Sequence, residues 1–197
     1  MNAFEFITNY WWILVLVLSV LFYKFILRVF FGMVIVPENR IGLVTKKFVL
    51  VGANRELPDC RIIATKVEAG FQARTLAPGL YWGMWPWQFG VDMQPFTVIP
   101  EGKIGLVLSN DGAELPTGNI LGRKIASDNF QDAHAFLDNG GQKGPQIEIL
   151  TPGMYRINTD LFHVSVFKAT IVPGGHICLV TSMDGEQIPD GRLLADK

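Results

Sequence analysis

The sequence predicts an α+β chain that is mostly β. An N-terminal transmembrane helix is followed by repeated small β modules, one of which carries an inserted amphipathic helix. Three observations predict this. The run YWWILVLVLSVLFY (10–23) contains no charged residue. One pattern occurs three times, as VIVPENRIGLV (34–44), TVIPEGKIGLV (97–107) and TIVPGGHICLV (170–180). Between these copies Pro and Gly punctuate short β-branched runs, which is the grammar of strands and turns.

The anchor comes first in the chain. A membrane span needs about 20 apolar residues. The stretch from about Phe4 to Phe31 is long enough, with its two basic residues near one end. Lys24 and Arg28 are four apart, share a helix face and can snorkel together to the headgroups. Tyr10, Trp11 and Trp12 would form an aromatic belt at the opposite end. A cleaved signal peptide fits poorly, because no basic region precedes the apolar run and no small-residue cleavage site follows it. Before the span stands Glu5, with no Lys or Arg; after it come Lys24, Arg28, Arg40, Lys46 and Lys47. The positive-inside rule then places a single-pass chain with its C-terminal bulk in the cytoplasm.

The repeats set the remaining boundaries: an anchor over 1–33, a first β module over 34–96, a second over 97–169, and the start of a third, incomplete module over 170–197. A second shared block supports the division: ELPDCRIIATK (56–66), ELPTGNILGRK (114–124) and QIPDGRLLADK (187–197). A third block occurs twice, as APGLYW (77–82) and TPGMYR (151–156). Unit two carries an insertion, SDNFQDAHAFLDNGG (127–141). Asp128 with Gln131 resembles a capping box, Phe130, Ala133 and Leu137 share a face, and Gly140 is a stop, which predicts a helix over about 128–139. Unit three lacks the PG-Tyr block, so the sequence reads as the N-terminal portion of a longer protein.

Composition narrows the chemistry. The net charge is −1 and Lys and Arg are dispersed, which argues against a nucleic-acid partner. His176 and Cys178 would share a strand face, yet they occupy the positions of Arg40 and Lys103, and of Gly42 and Gly105. Cys60 likewise falls where Gly118 and Gly191 stand. These are structural slots, not a nucleophile–base pair. Glu101, Asp111, Glu114 and Asp184 are expected in turns, bonding the local backbone. With three histidines and two scattered cysteines, neither a metal site nor a cofactor site is expected. The chain reads as a non-enzyme.

The apolar anchor, then VPENRIGLVTKKF (36–48), then APGLYWGMWPWQFGVDM (77–93) resembles the opening of the stomatin/prohibitin/flotillin (SPFH, or Band 7) family, bacterial flotillin-like members above all. The likeness covers about residues 10–95 and maps to Val36–Val44, Pro78–Gly79 and Leu80–Phe89. It implies SPFH-type β modules on a membrane scaffold that contacts lipids, forms homo-oligomers and organises microdomains or partner proteins. It also implies an alternative, a regulatory partner of a membrane protease or secretion complex. The chain departs from the family by repeating its strand module and by lacking a long heptad-bearing helical region.

Three tryptophans, Trp82, Trp85 and Trp87, crowd the loop after the first PG-Tyr block. Aligned without a gap, Tyr81 matches Tyr155, Trp82 matches Arg156, Met84 matches Asn158, Trp85 matches Thr159 and Trp87 matches Leu161. Tyr81 and Trp87 are thereby read as fold residues. Trp82, Met84 and Trp85 are read as a membrane-docking edge belonging to unit one alone. A tryptophan-based carbohydrate-binding module is the weaker alternative, since Asp92 is the only close acid.

Overall fold

The computed structural model describes residues 3–50, 57, 60–181 and 184, and the fold is mostly β. Two helices open it, α1 (Ala3–Leu21) and α2 (Tyr23–Phe30). The continuous span expected over Phe4–Phe31 is broken, with a bend of 75° between the segments Tyr10–Leu21 and Tyr23–Phe30. Among the described residues no single helix is long and apolar enough to cross a membrane. The bend sits at Phe22, whose backbone leaves helical geometry (φ −104°, ψ 13°). Neither Pro nor Gly explains it. The α2 end is tied to the first β module through the Phe30, Phe31 and Gly32 carbonyls.

The first unit contains β1 (Val34–Val36), β2 (Arg40–Lys46), β3 (Ile63–Ala64), β4 (Gly70–Leu76), β5 (Gly79–Tyr81) and β6 (Phe89–Pro95). Its sheet runs β3–β4–β2–β6, and β1 pairs with β5 in a separate ribbon. The second unit contains β7 (Thr97–Ile99), β8 (Lys103–Ser109), β9 (Gly144–Leu150), β10 (Gly153–Tyr155) and β11 (Phe162–Lys168). Its sheet runs β11–β8–β9, with β7 and β10 as the ribbon. The repeat seen in the sequence is therefore a repeat of topology. Even the irregularities recur: a register shift falls between Leu43 and Thr45 and again between Leu106 and Leu108. Tyr81 donates its hydroxyl to the Ala77 carbonyl at 3.0 Å, and Tyr155 donates to that of Thr151 at 2.9 Å. Each tyrosine thus closes the PG turn that precedes it.

The inserted helix is shorter than expected. α3 spans Ala133–Asp138, and its cap is Asp132, which accepts from the Ala135 amide at 2.9 Å. Residues 128–130 instead form a left-handed turn, with φ of 50°, 52° and 63°. Asp128 and Asn129 suit that conformation because their short polar side chains bond locally. Phe130 is drawn into it by burial: its ring packs against Phe136 and Phe162, with centroids 6.1 and 5.2 Å away. The predicted apolar face of Phe130, Ala133 and Leu137 is buried.

That aromatic cluster also contains Ile63 and Ala73 of unit one, so the two units share one core. Polar groups fix the junction. Asp111, 1% exposed, accepts through Oδ2 from the amides of Ile62 at 2.8 Å and Ile63 at 2.7 Å. Oδ1 makes the local backbone bond expected of it, accepting from the Gly112 amide at 2.7 Å, while Oδ2 reaches across units. Asn158, fully buried, donates to the carbonyls of Gln72 and Ala73 at 3.1 and 3.2 Å. Nearby, burial and then the charge of Asp92 raise the Asp160 carboxyl above its ordinary value. A carboxyl raised on folding favours the native state while protonated, and that benefit is lost as pH rises through its folded value. Asp160→Asn is accordingly expected to raise the melting temperature at pH 7 and to leave it unchanged at pH 3. Equal effects at both values would refute the assignment.

Candidate functional site

The loop 82–88 is built onto the end of α2. Gly83 donates its amide to the Phe31 carbonyl at 3.1 Å, and Met84 donates to Gly32 at 2.9 Å. The Trp85 indole Nε1 donates to the Phe30 carbonyl at 3.2 Å. Helix ends leave carbonyls without intrahelical partners, and this loop supplies donors for them. From the other side Lys47 donates its Nζ to the Pro86 carbonyl at 2.8 Å. Gly32 permits the close approach: it has φ +61°, and a Cβ there would lie 2.7 Å from the Met84 nitrogen.

The aromatic rings sit on this frame. Trp82 is 55% exposed and meets Phe31 edge-on, with centroids 6.3 Å apart. Trp85 is half-buried and stacks on Trp87 at 6.0 Å with an interplanar angle of 15°. Phe25, Phe30 and Phe31 are exposed alongside. Tyr10, Trp11 and Trp12 are exposed on α1. Lys24 and Arg28 are exposed on α2, with the Lys24 Nζ 5.9 Å from the centre of the Tyr23 ring. Arg28 and Met84 line one small cavity of about 200 Å³ together with Met33, Val34 and Phe89.

Two readings of the loop change. Trp87, expected to be a fold residue, is 50% exposed. Met84, assigned to the docking edge, packs partly buried on the unit-one core of Val34, Val36, Val44 and Leu76. The cause is a one-residue difference between the two loops, 82–88 and 156–161. The Gln88 carbonyl accepts from the Lys47 amide at 2.8 Å, as the Leu161 carbonyl accepts from that of Asn110 at 2.8 Å. Phe89 donates to the Trp85 carbonyl as Phe162 donates to that of Asn158, both at 2.8 Å. Gln88, itself buried, therefore takes the place of Leu161, and Trp85 takes that of Asn158. Beyond Tyr81, unit one carries one residue more than unit two. Trp85 thus joins unit one to the segment before it, as Asn158 joins unit two to unit one.

His134 contacts the Thr65 carbonyl through Nε2 at 2.7 Å and Asp138 through Nδ1 at 2.9 Å. Cys60 and Cys178 are free and exposed. Among the described residues no group of three His, Cys, Asp or Glu is placed to hold a metal ion. Comparison of the chain with protein-family models, with curated proteins and with solved structures found no match.

Proposed function

We propose that the chain is a membrane-anchored, non-enzymatic scaffold of the flotillin/stomatin type, with the aromatic loop as part of its bilayer-facing edge. One observation carries this reading: the tryptophan loop is hydrogen-bonded to the carbonyls of Phe30, Phe31 and Gly32, where an exposed apolar helical pair ends. Any lipid surface that receives α2 therefore also receives Trp82 and Trp87. Tryptophan favours the headgroup zone, where its ring is covered and its N–H stays wet. In this reading the bent pair enters the bilayer as one unit, with Lys24 and Arg28 at the headgroups. Homo-oligomer formation and the C-terminal bulk on the cytoplasmic side are further parts of the same proposal.

The full chain with Trp11→Phe and Trp12→Phe leaves Trp82, Trp85 and Trp87 as reporters. On vesicles of brominated anionic lipid their emission should shift to the blue and be quenched. Adding Trp82→Arg and Trp87→Ser should weaken vesicle binding about tenfold, equivalent to ~1.4 kcal/mol. The ring contacts with Phe31 and Trp85 are lost, so the fold should lose about 1–3 kcal/mol. Unquenched emission on saturated vesicles would sink the bilayer-edge reading.

A further inference from the structure

We infer that the outer face of the second sheet, formed by β8, β9 and β11, is the seat of a third repeat unit, the one that Thr170 opens. The inference concerns how units stack and holds whether or not the chain meets a bilayer.

The first junction provides the template. On unit one the outer face of β2 and β4 carries Ile41, Leu43 and Ala73, which are 1%, 3% and 2% exposed. Unit two packs on the β4 side of it: Ala73 shares a hydrophobic cluster with Ile157 and Leu161, and Asn158 bonds the β4 backbone. The shared register identifies the equivalent positions on unit two. Leu43 pairs with Thr75 across β2 and β4, and Leu106 pairs with Ile149 across β8 and β9. Leu106, Ile147 and Ile149 stand where Leu43, Ala73 and Thr75 stand. They are 41%, 57% and 43% exposed, with Phe167 beside them at 52%. This face is more apolar than its buried counterpart, yet it lies open.

A second, independent observation names the occupant. Phe48, Asp111 and Asp184 lie at the same distance from the starts of their units at Val34, Thr97 and Thr170. Asp111 Oδ2 accepts from Ile62 and Ile63. Asp184 Oδ2 accepts from Ile120 at 3.0 Å and Leu121 at 2.7 Å. Ile120 and Leu121 hold, in ELPTGNILGRK, the places that Ile62 and Ile63 hold in ELPDCRIIATK. Each carboxylate therefore clamps the same pair of amides in the preceding unit. Unit one, which directly follows α2 and not another unit, has Phe48 at this position. Asp184, in the segment that Thr170 opens, is thus fastened to unit two by the device that fastens unit two to unit one. That segment's residues Ile177, Leu179 and Val180 are 94%, 90% and 87% exposed and pair with no strand among the described residues. A seat without its cover and a fastened, unpaired unit opening are complementary.

Two measurements test this. In the chain as it stands, Asp184→Ala should speed amide exchange at Ile120 and Leu121 at least about tenfold and leave Ile62 and Ile63 unchanged, while Asp111→Ala should do the reverse. Unchanged protection at Ile120 and Leu121 in Asp184→Ala overturns the clamp and the seat together. Second, residues 125–169 are appended after Lys197, which completes a third unit from the chain's own repeat. The appended segment should gain slow-exchanging amides, and carbene labelling of Leu106, Ile147, Ile149 and Phe167 should fall several-fold. Adding Ile149→Asp should reverse both. An appended segment that stays unprotected, or that folds with labelling unchanged, overturns the proposal. So does a concentration-dependent dimer of the unextended chain in which those residues are already shielded, since the occupant would then be a second copy.

Discussion

Asp111→Ala is expected to be among the most damaging single substitutions in the chain, lowering stability by about 3 kcal/mol. The carboxylate is buried and accepts from three backbone amides: Ile62, Ile63 and, through Oδ1 at 2.7 Å, Gly112. Its own carbonyl accepts from the buried Ser109 hydroxyl at 2.6 Å. Hydrogen bonds to a charged acceptor contribute about 1.5–3 kcal/mol each, and a buried amide left without a partner costs about 1–3 kcal/mol. The contributions do not add fully, because the backbone relaxes and water reaches the half-exposed Ile62 side. For a urea slope of about 2 kcal/mol/M the midpoint should fall by roughly 1.5 M. Asp111→Asn keeps one carbonyl acceptor and should lose about half as much. A change in Asp111→Ala below about 0.5 kcal/mol, the range of ordinary surface substitutions, would show that the units do not depend on this clamp.

Asp111 also marks where sequence reading stopped short. An Asp beside Gly in a polar stretch fits a local turn, and nothing in its immediate neighbours reveals partners 48 and 49 positions away. The signal that could have found it lies in the repeat: Asp recurs at Asp184 and is Phe48 in the unit that directly follows α2. Repeats were legible because they impose the same side chains on the same backbone slots, so Tyr81 and Tyr155 could be paired before their turn-closing bonds were known. Patterning also placed the buried face of the insertion, since Phe130, Ala133 and Leu137 point into one core. It misplaced the helix start, because burial of Phe130 overrides local preference and holds residues 128–130 left-handed. The bend at Phe22 left no mark in the sequence, which has no breaker there. The loop residues failed for a different reason. An insertion of a single residue after Tyr81 moves every later match by one place, which sent Trp87 to the core and Met84 to the surface.

Gly32→Ala is expected to separate the aromatic loop from α2 while leaving the second unit untouched. Two costs combine at this position. Its φ of +61° is left-handed, which for a residue bearing Cβ costs about 1–2 kcal/mol. The added Cβ would also lie 2.7 Å from the Met84 nitrogen, 2.9 Å from that of Trp85 and 3.0 Å from the Gly83 carbonyl carbon. All three are backbone atoms, so no side-chain rotation relieves the contact and the loop itself must move. The bonds from Gly83 to Phe31, from Met84 to Gly32 and from the Trp85 indole to Phe30 all lie within that displacement. Gly83→Ala provides the control, because Gly83 has φ +77° but a Cβ there would meet nothing within 4 Å. It should incur the conformational cost alone, about 1–2 kcal/mol. Gly32→Ala should therefore cost at least ~2 kcal/mol more than Gly83→Ala, the magnitude at which overpacking is usually felt. It should also speed exchange at the Gly83 and Met84 amides by a factor of at least about ten and weaken vesicle binding, whereas Gly83→Ala should bind vesicles as the parent does. Equal costs and equal exchange in the two variants would mean that the loop is not held by α2. The bilayer-edge reading would then lose the connection on which it rests.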